Sequence, residues 1–263
     1  MERIILAVAV VGVILVAILS GCSGVFQFAA EKKEIILDED FEGTPDGQLP
    51  SGFQELYNGR WYGVVSGEVP AASGEKVLKV WGQPGWCCNL VYYFDVFKYD
   101  ELELSYKVYV YTDKRINTWV NFVNPNVSWG WGFGGLNVND NGTVWFWVPD
   151  SQTGKYTIKK VKVYKLNQWN QVRIIFYPKK RYIKNYVNDY LVYEAWVRDD
   201  GYSVRVKVYP PNEEPFEYIS IPGEAYRDPH AYSGLKGILV GDCASEGDDL
   251  PGYYDVFLLV GYK

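Results

Sequence analysis

Aromatic rings at alternate positions are the residues of this chain best placed to do chemistry. Trp129-Gly130-Trp131-Gly132-Phe133-Gly134-Gly135, if extended, projects Trp129, Trp131 and Phe133 from one face and leaves only glycine on the other. A second row follows at Trp145 and Trp147, and Trp119 precedes both. Flat rings stack on C–H-rich ligands such as sugars, but they fill the space between two sheets equally well. The residue types leave both readings open. Parity puts Trp145 and Trp147 opposite Trp129 and Trp131 unless Gly134-Gly135 forms a bulge, so one tryptophan pair is expected to face away from the core.

Acid–base chemistry has less to draw on. Glycoside hydrolysis normally needs two carboxylates about 5–9 Å apart. Glu101 and Glu103 alternate with Leu102 and Leu104, but their face continues to Lys107 and reads as a solvated surface. His230, the one histidine, lies in Asp228-Pro229-His230, a loop-like setting. No serine-nucleophile motif, phosphate loop or zinc spacing is present.

Period-two alternation dominates the chain after residue 35 and sets the elements that must carry these residues. Leu102, Leu104, Tyr106, Val108 and Val110 form one apolar row; Val172, Ile174 and Phe176 form another. Val204, Val206 and Val208 make a third, and Tyr254, Val256, Leu258, Val260 and Tyr262 the last. Turn signals separate them, among them Pro45-Asp46-Gly47, Gln83-Pro84-Gly85 and Asp200-Gly201. Asn141-Gly142 predicts a two-residue hairpin pairing Asp140 with Thr143, Val138 with Trp145 and Leu136 with Trp147. Many strands with one apolar face each require a second sheet to cover them, so the expected fold is all-β, a two-sheet antiparallel sandwich.

Residues 4–30 carry no charge, and Ile4–Leu19 is apolar throughout, behind Met1-Glu2-Arg3. This is the layout of an export signal, or of an uncleaved helical anchor, since about 20 apolar residues cross a bilayer. Leu19-Ser20-Gly21-Cys22 resembles the lipobox of lipoproteins, which implies lipidation of Cys22 after cleavage. The organisation expected is a signal peptide or membrane anchor over 1–21, a tether over 22–34 and one domain over 35–263. About 230 residues suit a single all-β unit. With Cys22 lipidated, Cys87, Cys88 and Cys243 remain. An oxidising compartment then implies one disulfide, from Cys243 to Cys87 or Cys88, because a bridge between adjacent residues needs a strained ring. A formal net charge of −6 argues against nucleic acid as a partner.

Asp40-Phe41-Glu42-Gly43, Leu49-Pro50-Ser51-Gly52-Phe53 and Gly74–Val80 resemble the opening of concanavalin A-like jelly rolls in secreted carbohydrate-active proteins. Leu166–Ile174 resembles their mid-domain strand and Tyr253-Tyr254-Asp255-Val256 their closing one, although galactose-binding-like sandwiches open and close in a similar way. The resemblance implies a jelly roll whose concave sheet often binds glycans. It also implies adjacent terminal strands whose carboxylates, here Asp40, Glu42 and Asp255, often hold a structural Ca²⁺. Asp242, Glu246, Asp248 and Asp249 form a second acidic segment of the same kind. Laminarinase-like members carry Glu-x-Asp-x-Glu on one strand; Glu101-Leu102-Glu103-Leu104-Ser105 lacks the central Asp and the final Glu.

The expectation is therefore a surface-tethered, non-catalytic domain on the extracellular side of a membrane, binding a polysaccharide or surface glycan through Trp119, Trp129, Trp131, Phe133, Trp145 and Trp147. One alternative is a self-assembling structural subunit of a surface layer, pilus or filament. Another is a divergent polysaccharide hydrolase or lyase.

Overall fold

Alternation becomes strand almost everywhere in the computed structural model, which describes residues 32–111, 116–127, 131–150, 153, 155–224, 227–244 and 250–263, the side chains of Trp131 and Ala244 excepted. The expected leader 1–21 and Cys22 lie outside the described residues. The strands are β1 (Lys33–Glu39), β2 (Phe53–Asn58), β3 (Trp61–Ser66), β4 (Lys76–Trp81), β5 (Trp86–Tyr93) and β6 (Glu101–Val110). Next come β7 (Thr118–Asn124), β8 (Trp131–Val138), β9 (Thr143–Pro149), β10 (Tyr156–Lys162), β11 (Gln168–Tyr177) and β12 (Tyr182–Val187). The last five are β13 (Tyr190–Val197), β14 (Val204–Val208), β15 (Phe216–Ser220), β16 (Gly237–Ala244) and β17 (Gly252–Tyr262). The expected tether ends two residues early, because β1 starts at Lys33 and pairs Glu34 with Gly261.

Two antiparallel sheets form the sandwich. The larger runs β15-β14-β13-β12-β11-β6-β17-β4-β3, with β1 also paired to β17; the smaller runs β2-β5-β16-β7-β8. Leu102, Leu104, Tyr106, Val108 and Val110 all turn inward and are at most 1% exposed, as their alternation predicts. Tyr106 stacks on Phe257 in the core, with ring centroids 5.3 Å apart.

Three expected details are corrected. The last apolar row does not hold its parity: the inward residues are Tyr254, Phe257 and Leu259. A bulge between Asp255 and Leu258, with Val256 at φ 50°, moves every later side chain to the other face. The Asn141-Gly142 turn forms, both residues taking positive φ, but it is three residues long and closed by a single bridge, Asn139 to Thr143. Beyond it β8 pairs with β7 and β9 pairs with β10, so the expected ladder of Val138 with Trp145 and Leu136 with Trp147 is absent. Third, Phe133 is not an exposed ring: it is 1% exposed, packs edge-on against Phe176 and Tyr232, and reaches the groove described below only from within the core.

Cys243 sits directly opposite Cys87 on neighbouring strands, and the two are joined by a disulfide. Cys88 points the other way, into the core, with its Sγ donating to the Trp61 carbonyl at 3.7 Å. Burial pushes the Cys88 thiol up to about 12, which keeps it protonated and unreactive.

Candidate functional site

A ten-stranded sheet cannot be covered by one of five strands, and the candidate site follows from that mismatch. The inner faces of β13, β14 and β15 extend past the smaller sheet and are capped by the β9–β10 ribbon. Phe146 fastens the cap, its ring edge-on to Tyr193 at 5.7 Å and to Phe216 at 6.2 Å. Since side chains alternate along a strand, burying Val144 and Phe146 turns Trp145 and Trp147 to the opposite face. Between the ribbon, the edge of β8 and the overhanging strands runs a groove of about 450 Å³, bordered by both faces of β9, Trp145 and Trp147 from one and Val144 and Phe146 from the other.

Trp119, Trp145 and Trp147 all line this groove, although they come from two strands that are not paired to each other. Trp147 is 53% exposed. Trp145 is half-buried and fixed at three points: its Nε1 donates to Thr143 Oγ1 at 2.9 Å, its backbone N–H donates to Asn137 Oδ1 at 3.2 Å, and Lys160 Nζ sits 4.4 Å over its ring. A cation over one face of an indole leaves the other for a ligand. Trp119 lies across β16, where a Cβ added to Gly241 would come within 2.6 Å of the ring, so its position depends on that glycine.

Residue types that the sequence reading passed over complete the lining. Asn117 and Asn121 flank Trp119 on the outer face of β7, and Asn137 lies opposite Trp119 on β8. Asn121 reaches over β8, where a Cβ on Gly132 would lie 2.2 Å from its Nδ2. Tyr218 and Ser220 line the groove from β15, with Ala195, Val204 and Val206 beside them. The pattern Asn117-x-Trp119-x-Asn121, three side chains on one face of a strand, is the signal that could have found them.

Of the other expected site residues, Trp129 lies outside the described residues. Trp131 opens β8 opposite Asn124, and its side chain is not described. A bulge at Gly134-Gly135, the exception on which the parity expectation depended, does form, with Gly134 at φ 62° and the register shifting across Val120 and Phe122.

The three carboxylates expected to hold calcium do not fit a metal. Asp255 is fully buried and accepts from the backbone N–H groups of Ala72, Ser73 and Val256 at 2.7–2.9 Å. Glu42 Oε1 accepts from the N–H groups of Glu75 and Lys76, both at 2.8 Å, and these bonds lower its pKa. Asp40 accepts from Glu42 N–H at 3.1 Å. Asp255 and Glu42 both accept from backbone N–H groups of the 72–76 segment and Asp40 from that of Glu42, and among the described residues no three Asp, Glu, His or Cys side chains are grouped to bind an ion. In the second acidic segment, Asp242 is buried and accepts from Gly82 N–H at 2.8 Å, while Glu246, Asp248 and Asp249 lie outside the described residues. Glu103 pairs with Arg173 at 3.6 Å on the outer face of β6, and His230 is an exposed loop residue.

No family model matches the chain, and no curated protein matches it. Among solved structures, a sialidase superposes over 86% of this chain with a TM-score of 0.47 and 11% identity. This chain spans 18% of that sialidase's length. The globular domain of a calreticulin from T. cruzi covers 86% of this chain and 88% of its own, at TM-score 0.43 and 8% identity. Arcelin-5, a lectin-like defense protein from Phaseolus vulgaris, covers 89% and 98%, at TM-score 0.41 and 7% identity.

Proposed function

We propose that this domain binds glycans in the groove between the β9–β10 ribbon and β8, without cleaving them, while tethered to the outer side of a membrane through a lipidated Cys22. The observation that carries the reading is the convergence of Trp119, Trp145 and Trp147 with Asn117, Asn121 and Asn137 on one groove. Indoles supply flat apolar faces for sugar C–H groups, and an amide side chain can both donate to and accept from a hydroxyl. The volume falls within the roughly 300–1,000 Å³ of small-molecule sites. A shallow stacking site of this kind gives affinities on the order of micromolar to millimolar. The Cys87–Cys243 disulfide supports an extracellular location, where such bonds persist.

Retention of the full-length chain on immobilised polysaccharides tests this. Trp147→Ala removes a ring that is half in solvent, so retention should fall while stability changes by less than about 1 kcal/mol. Phe146→Ala, one residue away but in the core, should cost about 3–5 kcal/mol. Undiminished retention by Trp147→Ala, or release of sugar fragments by the unmodified chain, would overturn the proposal.

A further inference from the structure

Resting on that reading of the groove, we infer that its ligand is an uncharged glycan, and that uronate, sulfate or sialate groups are disfavoured there. Every described side chain lining the groove is an indole, phenyl, phenol, aliphatic, amide or hydroxyl group. An anionic sugar seated among them leaves water for a partly apolar trench in which no described lining side chain is a cation, and an unpaired charge in such a setting is strongly penalised. Neutral hydroxyls lose nothing comparable, because amides pair with them as donor and as acceptor.

Among the described residues, two ribbon cations bear on this. Lys160 lies opposite Trp145 in the β9–β10 register, and so on the ribbon face that carries both ribbon tryptophans. Its ammonium is already engaged, 4.4 Å over the Trp145 ring and 4.0 Å from Asp140 Oδ2. It therefore brings a counter-anion with it and acts as a support for the indole. Lys159 is on the ribbon face that packs on the overhanging strands, and its ammonium is likewise engaged, with Nζ 4.1 Å over the Phe216 ring. The chain's formal net charge of −6 acts in the same direction, repelling polyanions at low salt.

The test is a tryptophan-fluorescence titration of the full-length chain in a polyoxyethylene detergent, which carries no sugar headgroup. Laminarin, galactan and mannan serve as neutral probes; alginate, polygalacturonate and heparin serve as anionic ones. Each is measured at low salt and at about 0.5 M salt, where charge-driven binding is screened. At least one neutral probe should bind with an affinity that changes less than about twofold between the two salts. Every anionic probe should bind at least about tenfold more weakly than that neutral one. An anionic probe that binds tightest and weakens with salt would overturn the inference while leaving glycan binding intact. Failure of all six to bind would instead remove the glycan reading on which the inference rests.

Discussion

Removing the Cys87–Cys243 bond should cost more than any other two-residue change away from the core. The double variant Cys87→Ala/Cys243→Ala opens a link between residues 156 apart in sequence, enclosing every strand from β6 to β15. In the chain-entropy account, a loop of that length constrains the unfolded chain by about 5 kcal/mol near room temperature. Residual structure in the unfolded chain lowers the figure, so about 3–5 kcal/mol is expected. The two residues sit on adjacent strands already joined by ladder hydrogen bonds, so the native sheet should survive the change. For a domain of this size, each kcal/mol moves Tm by about 2–4 °C, giving a fall on the order of 10 °C. Guanidinium unfolding followed by tryptophan fluorescence and far-ultraviolet dichroism supplies the free energy, and calorimetry the midpoint. A loss below about 1 kcal/mol would refute the reasoning, since the unfolded chain would then gain nothing from losing the constraint.

Two further outcomes follow from buried or paired carboxylates. Lys263 and Lys98 hold Glu34 at 2.6 and 2.8 Å and lower its pKa to about 2, tying the first strand to the last residue. A carboxyl lowered by folding contributes stability that is complete above its unfolded value of 4.5 and is lost as pH falls toward 2. Glu34→Gln should therefore flatten the fall of Tm between those pH values and leave its shape near neutrality unchanged. Asp255→Ala should cost about 1–3 kcal/mol by removing the acceptor of three N–H groups on part-buried or exposed residues, with the same loss in chelator and in millimolar calcium. A calcium-dependent loss would restore Asp255 as a metal ligand.

The strands were legible because one face of each is buried, which writes period two into residues such as Leu102 to Val110. What the sequence concealed were the places where backbone geometry breaks that period. Val256 in a left-handed conformation is not signalled by its type, since β-branched residues avoid it, and it shifts the parity of all of β17 that follows. The Asn141-Gly142 turn was legible in its chemistry but not in its partner: β10, Tyr156–Lys162, is too polar to advertise that it would claim β9. The tryptophans of the groove were legible as candidates; their meeting was not, since it depends on the smaller sheet ending at β8. Asp40, Glu42 and Asp255 looked like ion ligands because loop-capping acceptors and metal ligands are the same residue types, separable only by which N–H groups stand nearby.

Indole N–H resonances of the selectively labelled chain, followed during titration with a neutral oligosaccharide, test groove binding most directly. Trp119, Trp145 and Trp147 should shift together along one saturation curve. Trp61 and Trp169, packed around Tyr253 on the outer face of the larger sheet, and Trp196, stacked on Tyr182 at 5.0 Å, should stay fixed. Shifts confined to Trp61, Trp169 or Trp196, with the three groove indoles unmoved, would contradict the account.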